Sequence, residues 1–199
     1  MEVAVIEKSI CGVKINVPDK LDSLLWADQE LMARYWKVLH GDVCIDAGFG
    51  PGGWSLVALA LGASVFAFDP RPYAVEILSQ VLAVNSFPRC CVVQSGLWSC
   101  SAVRAFPDGP APVIALDDFA EGIRMGRLDH INIDAEGAEL EILRGARETI
   151  HKFHPRLIVE VHSDAWDAVE KELKALGDYA FERFQGFVIA APHGGPRGN

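Results

Sequence analysis

The sequence predicts an α/β domain of three layers, with a mostly parallel sheet and a C-terminal antiparallel hairpin. Three observations predict it. From Val43 onward, short apolar runs alternate with segments whose apolar residues recur at helical spacing, the order that builds a parallel sheet covered by helices. The first of these runs, Val43-Cys44-Ile45-Asp46, breaks into Ala47-Gly48-Phe49-Gly50-Pro51-Gly52-Gly53, a tight turn from a strand into a helix. The last two runs, 179–184 and 187–191, are separated only by Gln185-Gly186. That link is too short for a crossover, so the closing pair is antiparallel.

The other elements follow in order. Residues 3–17 alternate weakly around Cys11-Gly12, which predicts a hairpin or an irregular arm. Asp28 precedes Leu31, Tyr35, Val38 and Leu39, a helical stripe that stops at Gly41 and covers one sheet edge. Trp54, Val57, Ala58 and Leu61 mark the helix after the glycine turn. Residues 64–68 form a second strand ending at Asp69-Pro70, and Val75, Leu78 and Leu82 mark a helix that Asn85 ends. Residues 91–94 form a third strand broken by Ser95-Gly96. Pro107, Gly109, Pro110 and Pro112 place a loop between extended pieces at Val103 and Ile114. Residues 131–133 form a strand ending at Asp134. From Glu136, a first-turn acid favoured by the helix dipole, one helix carries Leu140, Leu143 and Ala146, with Glu139 and Glu141 on its solvated side. Residues 157–161 form a fifth strand. Trp166, Val169, Leu173 and Leu176 then mark a helix capped by Ser163 or Asp164. The expected organisation is one domain over 1–192, with an arm and covering helix at 1–41, a core at 42–192 and a disordered tail at 193–199.

Composition narrows the partners. Half of the 199 residues are apolar, but no apolar run approaches a membrane span, and Met1-Glu2-Val3 opens no signal peptide. A cytoplasmic protein without a membrane partner is expected. A net charge of −9 disfavours nucleic acid, whose phosphates require a basic surface. Arg144, Arg147 and Lys152 read as the solvated face of a helix. Cys11, Cys44, Cys90, Cys91 and Cys100 show no C-x-x-C spacing, so neither a disulfide framework nor a zinc site is indicated. Cys44 and Cys91 sit in apolar runs and are expected to be buried. An oligomer is possible but not indicated.

The glycine turn suits a nucleotide or nucleoside, because its backbone N–H groups can approach a ligand at a helix N-terminus. Asp69 follows Asp46 by 23 positions and ends the second strand, where an acid accepts hydrogen bonds from ribose hydroxyls. NAD and S-adenosylmethionine fit alike so far. Three features favour the methyl donor. Asp46 would repel a pyrophosphate but suits a cationic amino-acid end. The turn reads D-x-G-x-G-x-G rather than G-x-G-x-x-G. Dinucleotide folds also usually close with parallel strands, not a hairpin.

The segment Ile131-Asn132-Ile133-Asp134-Ala135-Glu136-Gly137-Ala138-Glu139-Leu140, with Leu116-Asp117-Asp118 before it and Glu160-Val161-His162 after it, resembles the FkbM-type family of S-adenosylmethionine-dependent methyltransferases. With the glycine turn and Phe68-Asp69-Pro70, the likeness runs over about 43–161. The chain departs from the family's usual D-V-G-A-N-x-G turn, and carries Asp69 where glutamate is frequent; both changes keep the chemistry. The resemblance implies a Rossmann-like class I methyltransferase fold, S-adenosylmethionine as cofactor, and O-methylation of a small-molecule hydroxyl of sugar or natural-product type. It implies cofactor contacts at Asp46, Gly48, Phe49, Gly50, Asp69, Pro70 and Asp134. By fold analogy it also places Ser95, Gly96 and Trp98 near adenine, where Trp98 either stacks on the base or packs in the core.

Transfer to a hydroxyl requires removal of its proton by a base or a divalent metal. Asp134 ends the fourth strand, at the lip where open α/β sheets bind ligands. Glu160 and His162 end the fifth, two apart on an extended chain and so on the same side. These three are the expected catalytic residues. His162 is a candidate base, since a neutral imidazole is accessible at working pH. Alternatively, Asp134 and Glu160, with or without His162, would hold Mg²⁺ or a similar cation. A blander role remains open for each: Glu160 paired with a backbone N–H or a cation, and His162 capping the next helix. Asp117 and Asp118 either cap the helix that follows or reach the site. The reading from another class is a non-catalytic protein that keeps the fold and senses S-adenosylmethionine or a related nucleoside, and a dehydrogenase is a third.

Overall fold

The computed structural model describes residues 4–24, 29–85, 87, 89–162 and 166–193. The chain opens with a hairpin, β1 (Val5–Ile10) and β2 (Val13–Pro18). Cys11 and Gly12 turn it with φ of 51° and 79°, the two-residue geometry that matches the twist of paired strands. A 3-10 turn, Asp19–Leu24, leads toward α1 (Gln29–Tyr35). This helix is shorter than its apolar stripe. Beyond Tyr35 the chain is not helical, and Val38 is buried while Leu39 stands 66 % exposed. The expected cap, Asp28, lies outside the described residues.

A βαβαβ run follows: β3 (Val43–Ala47), α2 (Gly53–Ala60), β4 (Ser64–Phe68), α3 (Pro72–Asn85) and β5 (Cys90–Val93). Asn85 does more than end α3. Its Oδ1 accepts the Asn16 N–H at 2.7 Å, tying the N-terminal hairpin to the core. Next come β6 (Gly96–Leu97), β7 (Ala102–Phe106) and β8 (Gly109–Ile114). Here the expected proline-rich loop is instead a hairpin within a three-stranded sheet of order β6-β8-β7. Pro110 and Pro112 face Ala105 and Val103 across it, while β6 pairs only with Val113 and Ile114. Both prolines have the same strand parity and lie beyond the reach of β6, where their missing N–H groups cost no ladder bond.

The second half contains α4 (Leu116–Gly122), β9 (His130–Ile133), α5 (Glu139–Arg144), α6 (Arg147–Phe153), β10 (Arg156–Glu160), α7 (Trp166–Ala175), β11 (Tyr179–Phe184) and β12 (Phe187–Pro192). The single helix expected from Glu136 is two helices with a later start. Glu136 and Gly137 form a left-handed turn, with φ of 52° and 99°, so Glu136 is not a first-turn acid. The break falls at Gly145, whose position is so close to the Trp98 carbonyl that a Cβ would stand 1.9 Å from its oxygen. Ser163, Asp164 and the tail from 194 lie outside the described residues.

The main sheet has seven strands in the order β11-β12-β10-β9-β3-β4-β5. From β10 to β5 all neighbours are parallel, and β12 runs antiparallel to β10 and β11. Alternate residues feed two apolar layers. Cys44, Val65, Ala67 and Ile158 pack with the hairpin, α1, α2 and α3. Ile45, Phe68, Ile131, Ile133, Leu157 and Val159 pack on the other face with α4 to α7. Cys44 is buried as expected, but Cys91 is exposed, because β5 is the edge strand of the main sheet. Among the described residues, no helix is long and apolar enough to cross a membrane.

The topology locates the site. From β3 the chain proceeds outward through β4 and β5, then returns to lay β9 on the opposite flank of β3. The carboxyl ends of β3 and β9 therefore border the crevice of a topological switch point, where such sheets bind ligands.

Candidate active site

Parallel register determines which residues meet there. Ala47 of β3 pairs with Ile133 of β9, and Ile133 pairs with Val159 of β10. One residue further, Gly48, Asp134 and Glu160 stand side by side. Asp134 N–H donates to Ala47 O at 2.9 Å. Gly48, at φ 79°, lies so close to β9 that a Cβ would fall 1.9 Å from Asp134 O. Its N–H donates to Phe68 O at 2.8 Å, which ties the turn to the end of β4. A cleft of about 150 Å³ opens here, lined by the glycine turn with Phe49, Trp54, Arg71, Tyr73, Asp134 and Glu136. A larger, open concavity of about 570 Å³ is built from α6 and the end of α7 and includes none of the strand-end residues.

Asp46 takes a different role from the one expected. It is 1 % exposed, and its oxygens accept hydrogen bonds from Ser55 Oγ at 2.6 Å and Asn132 Nδ2 at 3.0 Å. Asn132 is its direct cross-strand partner. The carboxyl thus locks the glycine turn, through α2 and β9, instead of presenting charge to the cleft. Burial pushes its pKa up to about 6, against the lowering effect of the Ser55 and Asn132 hydrogen bonds. A raised carboxyl pKa means that the folded state keeps a proton the unfolded state releases. Stability is therefore full near pH 4 and falls as pH rises through about 6, by about 3 kcal/mol at most. Asp46→Asn, which can bond the same two partners, is expected to abolish this loss. Urea melts of variant and wild type should separate between pH 5 and pH 7.5, with the variant the more stable at the higher pH.

Asp69 ends β4 where a ribose-binding acid is expected, but it is fully buried and already engaged. Its carboxylate accepts Gly50 N–H at 3.0 Å, Arg71 N–H at 2.9 Å, and the Arg71 guanidinium through Nε at 2.9 Å and a terminal nitrogen at 2.7 Å. A ribose at this acid would share it with Arg71 or displace it. Arg71 went unremarked in the sequence, although its place two residues after Asp69, beyond a proline, was a usable signal. Pro70 lies beside Gly96, 3.8 Å from where its Cβ would be. The Ser95 hydroxyl donates to the Pro112 carbonyl at 3.1 Å. Trp98 packs against the second apolar layer and carries the Arg104 guanidinium 4.1 Å from its ring centroid. Ser95, Gly96 and Trp98 are not among the residues that line the cleft.

Asp134, Glu160 and His162 do converge: one ligand atom from each lies within 4.8 Å of the others. Burial, then the hydrogen bond and charge of Glu160, push the Asp134 carboxyl well above the ordinary carboxylate range, with His162 pulling the other way. The two acids therefore resist bearing full charge together. His162 is held among carboxyls. Its Nδ1 lies 3.2 Å from Glu139 Oε1, and its Nε2 lies 3.5 Å from Glu136 Oε2 and 3.9 Å from Glu160 Oε2.

Glu139 is a correction. Expected on the solvated side of a helix, it is fully buried and also accepts Gly137 N–H at 2.9 Å. The register of the apolar residues could have revealed it. Ile142, Leu143 and Ala146 are buried, and Glu139 stands three and four positions before the first two. Glu141, by contrast, bonds Ser99 and Arg144 at the surface. Arg147 is not merely solvated, since it pairs with Glu172. Asp117 neither caps its own helix nor reaches the cleft. It accepts the N–H groups of Glu148 and Thr149 at 3.2 and 2.8 Å and so caps α6, while Asp118 accepts from Ser101 Oγ at 2.9 Å.

Residues 101–181, from β7 into β11, match the methyltransferase FkbM domain. This stretch carries Asp134, Glu139, Glu160 and His162. This match to the FkbM-type methyltransferases spans 81 of the 199 residues. Residues 24–95, with the glycine turn and Asp69, match FtsJ-like methyltransferases. The chain is similar in structure to methyltransferase FkbM from Methylobacillus flagellatus KT, with a TM-score of 0.63 at 20 % identity. That likeness covers 86 % of this chain but 57 % of the Methylobacillus protein. An rRNA methylase from Streptococcus thermophilus gives a TM-score of 0.52 at 16 % identity, over 77 % of this chain and 87 % of that one. TYW2 from P. horikoshii, in complex with MeSAdo, gives 0.54 at 15 % identity, over 95 % and 70 %. Identities this low carry the fold alone, and the fold is the class I methyltransferase α/β sheet. No curated protein matches the chain in sequence.

Proposed function

We propose that the protein is an S-adenosylmethionine-dependent O-methyltransferase that acts on a hydroxyl of a small molecule, of sugar or natural-product type, in the cytoplasm. The observation that carries this reading is the meeting of Asp134, Glu160 and His162 beside the glycine turn at the switch point. The cleft suits part of a nucleoside cofactor: Gly48 and Gly50 bring backbone to its wall, and Asp69 holds that turn by accepting the Gly50 N–H. When bound, S-adenosylmethionine supplies an electrophilic methyl group. The chain must then hold the acceptor oxygen close and in line, which provides much of the acceleration. Nε2 of His162 is the place for the hydroxyl proton, with Asp134 and Glu160 orienting the acceptor. The same three side chains would also fit one divalent cation, which would lower the hydroxyl pKa instead.

A nucleic-acid substrate is the second reading. The FtsJ-like match and the likeness to an rRNA methylase favour it; the net charge of −9 opposes it. Calorimetric titration with S-adenosylmethionine and with NAD, each with Mg²⁺ and with EDTA, tests the cofactor. Micromolar affinity for the methyl donor and none for NAD is expected. Transfer to hydroxylated small molecules that survives EDTA assigns the proton to His162, whereas loss in EDTA assigns a cation. A tight, strongly salt-dependent RNA affinity would favour the second reading. Cofactor binding without transfer to any acceptor would favour a sensor.

A further inference from the structure

We infer that Glu139 is the positioning residue for His162: its buried carboxyl holds the imidazole through Nδ1 and turns Nε2 toward Asp134 and Glu160. This rests on the hydroxyl-methylating reading above. The geometry starts with the left-handed turn at Glu136 and Gly137, which directs Gly137 N–H onto Glu139 Oε1 at 2.9 Å. That bond orients the carboxyl independently of the imidazole. The same oxygen lies 3.2 Å from His162 Nδ1. A carboxylate oxygen only accepts, so Nδ1 carries the hydrogen and the lone pair of the neutral ring is left on Nε2. Nε2 is the nitrogen that faces Glu160 and Glu136, and Glu136 lines the cleft.

The cost of burying Glu139 supports a role of this kind. Its side chain is 1 % exposed, its Oε2 has no hydrogen-bond partner among the described residues, and no lysine or arginine among them pairs with it. A carboxyl buried on such terms weakens the fold. Glu136, three residues earlier, has a side chain that is 75 % exposed and cannot hold the ring in one orientation. Glu139 is anchored where Glu136 is free.

The test uses Glu139→Leu, Glu139→Gln and His162→Gln in the full chain. The ¹⁵N resonances of His162 report its tautomer without any substrate. Wild type is expected to show hydrogen on Nδ1, and Glu139→Leu a shift toward hydrogen on Nε2. In the same variant kcat should fall about 10–100-fold with little change in KM for S-adenosylmethionine. Glu139→Gln, whose amide oxygen can still accept both hydrogens, should keep the tautomer and recover most of kcat. It also covers the case in which the leucine variant fails to fold. Adding Glu139→Leu to His162→Gln should cost nothing further. An unchanged tautomer in Glu139→Leu, or a full additional loss in the His162→Gln background, would overturn the inference. If His162→Gln alone leaves kcat intact, the base assignment fails, while the tautomer still decides what Glu139 does.

Discussion

Asp134→Asn is expected to reduce methyl transfer by about 10²–10⁴-fold, while S-adenosylmethionine binding stays within about threefold. Asp134 stands between Gly48 and Glu160 at the strand ends and lines the cleft. Asparagine keeps its shape but has no acidic proton to share with Glu160 or to place on a bound hydroxyl. The same substitution is expected to raise stability. In the wild type, burial and the Glu160 charge keep Asp134 protonated above the ordinary carboxylate range. Stability is therefore lost as pH rises from the ordinary value of 3.8 into that raised range. The variant does not titrate there, so at pH 8 it should gain on the order of 1–2 kcal/mol in urea melts. Lower turnover together with higher stability separates a functional acid from a structural one. Unchanged single-turnover rates would remove Asp134 from the mechanism.

Gly48→Ala is expected to destabilise the fold by about 3–5 kcal/mol and to abolish cofactor binding. Two costs combine at this position. Its φ of 79° is one that alanine adopts with strain, and the added methyl would meet Asp134 O at 1.9 Å. That oxygen belongs to the strand end that carries the site and cannot move without shifting Asp134. The protein contains its own control. Gly12 has the same φ of 79° with nothing within 4 Å of where a Cβ would be. Gly12→Ala should therefore show strain alone, about 1 kcal/mol. The difference between the two urea midpoints measures the contact between β3 and β9. Equal effects would mean that the turn yields.

Much of the fold was legible because a parallel sheet repeats a local rule. Strand β4 and the closing hairpin fall where the apolar runs place them. Burial leaves β4 and β12 an uninterrupted apolar signature, whereas the edge strand β11 is largely exposed and was located by its link to β12 through Gln185-Gly186. The proline-rich segment was not legible as strand. Whether a proline costs a ladder bond depends on how far the neighbouring strand extends, and β6 is only two residues long. The single helix predicted from Glu136 failed for a similar reason. Helical spacing continues across Gly145, and only the approach of Trp98 shows the break.

The site divides along the same line. By itself the sequence determined the methyltransferase sheet, the glycine turn, and the meeting of Asp134 with Glu160 and His162, because ends of neighbouring parallel strands must lie at one edge. Only the tertiary structure decided the partners. Asp46 bonds Asn132 across 86 positions, Asp117 caps a helix 31 positions on, and Glu139 reaches His162 23 positions away. Asp69 holds Arg71 nearby, yet which cation a buried acid holds is also settled by packing. Periodicity specifies the face a side chain occupies. The atom it bonds on that face depends on which elements pack against it, and that is a long-range property of the fold.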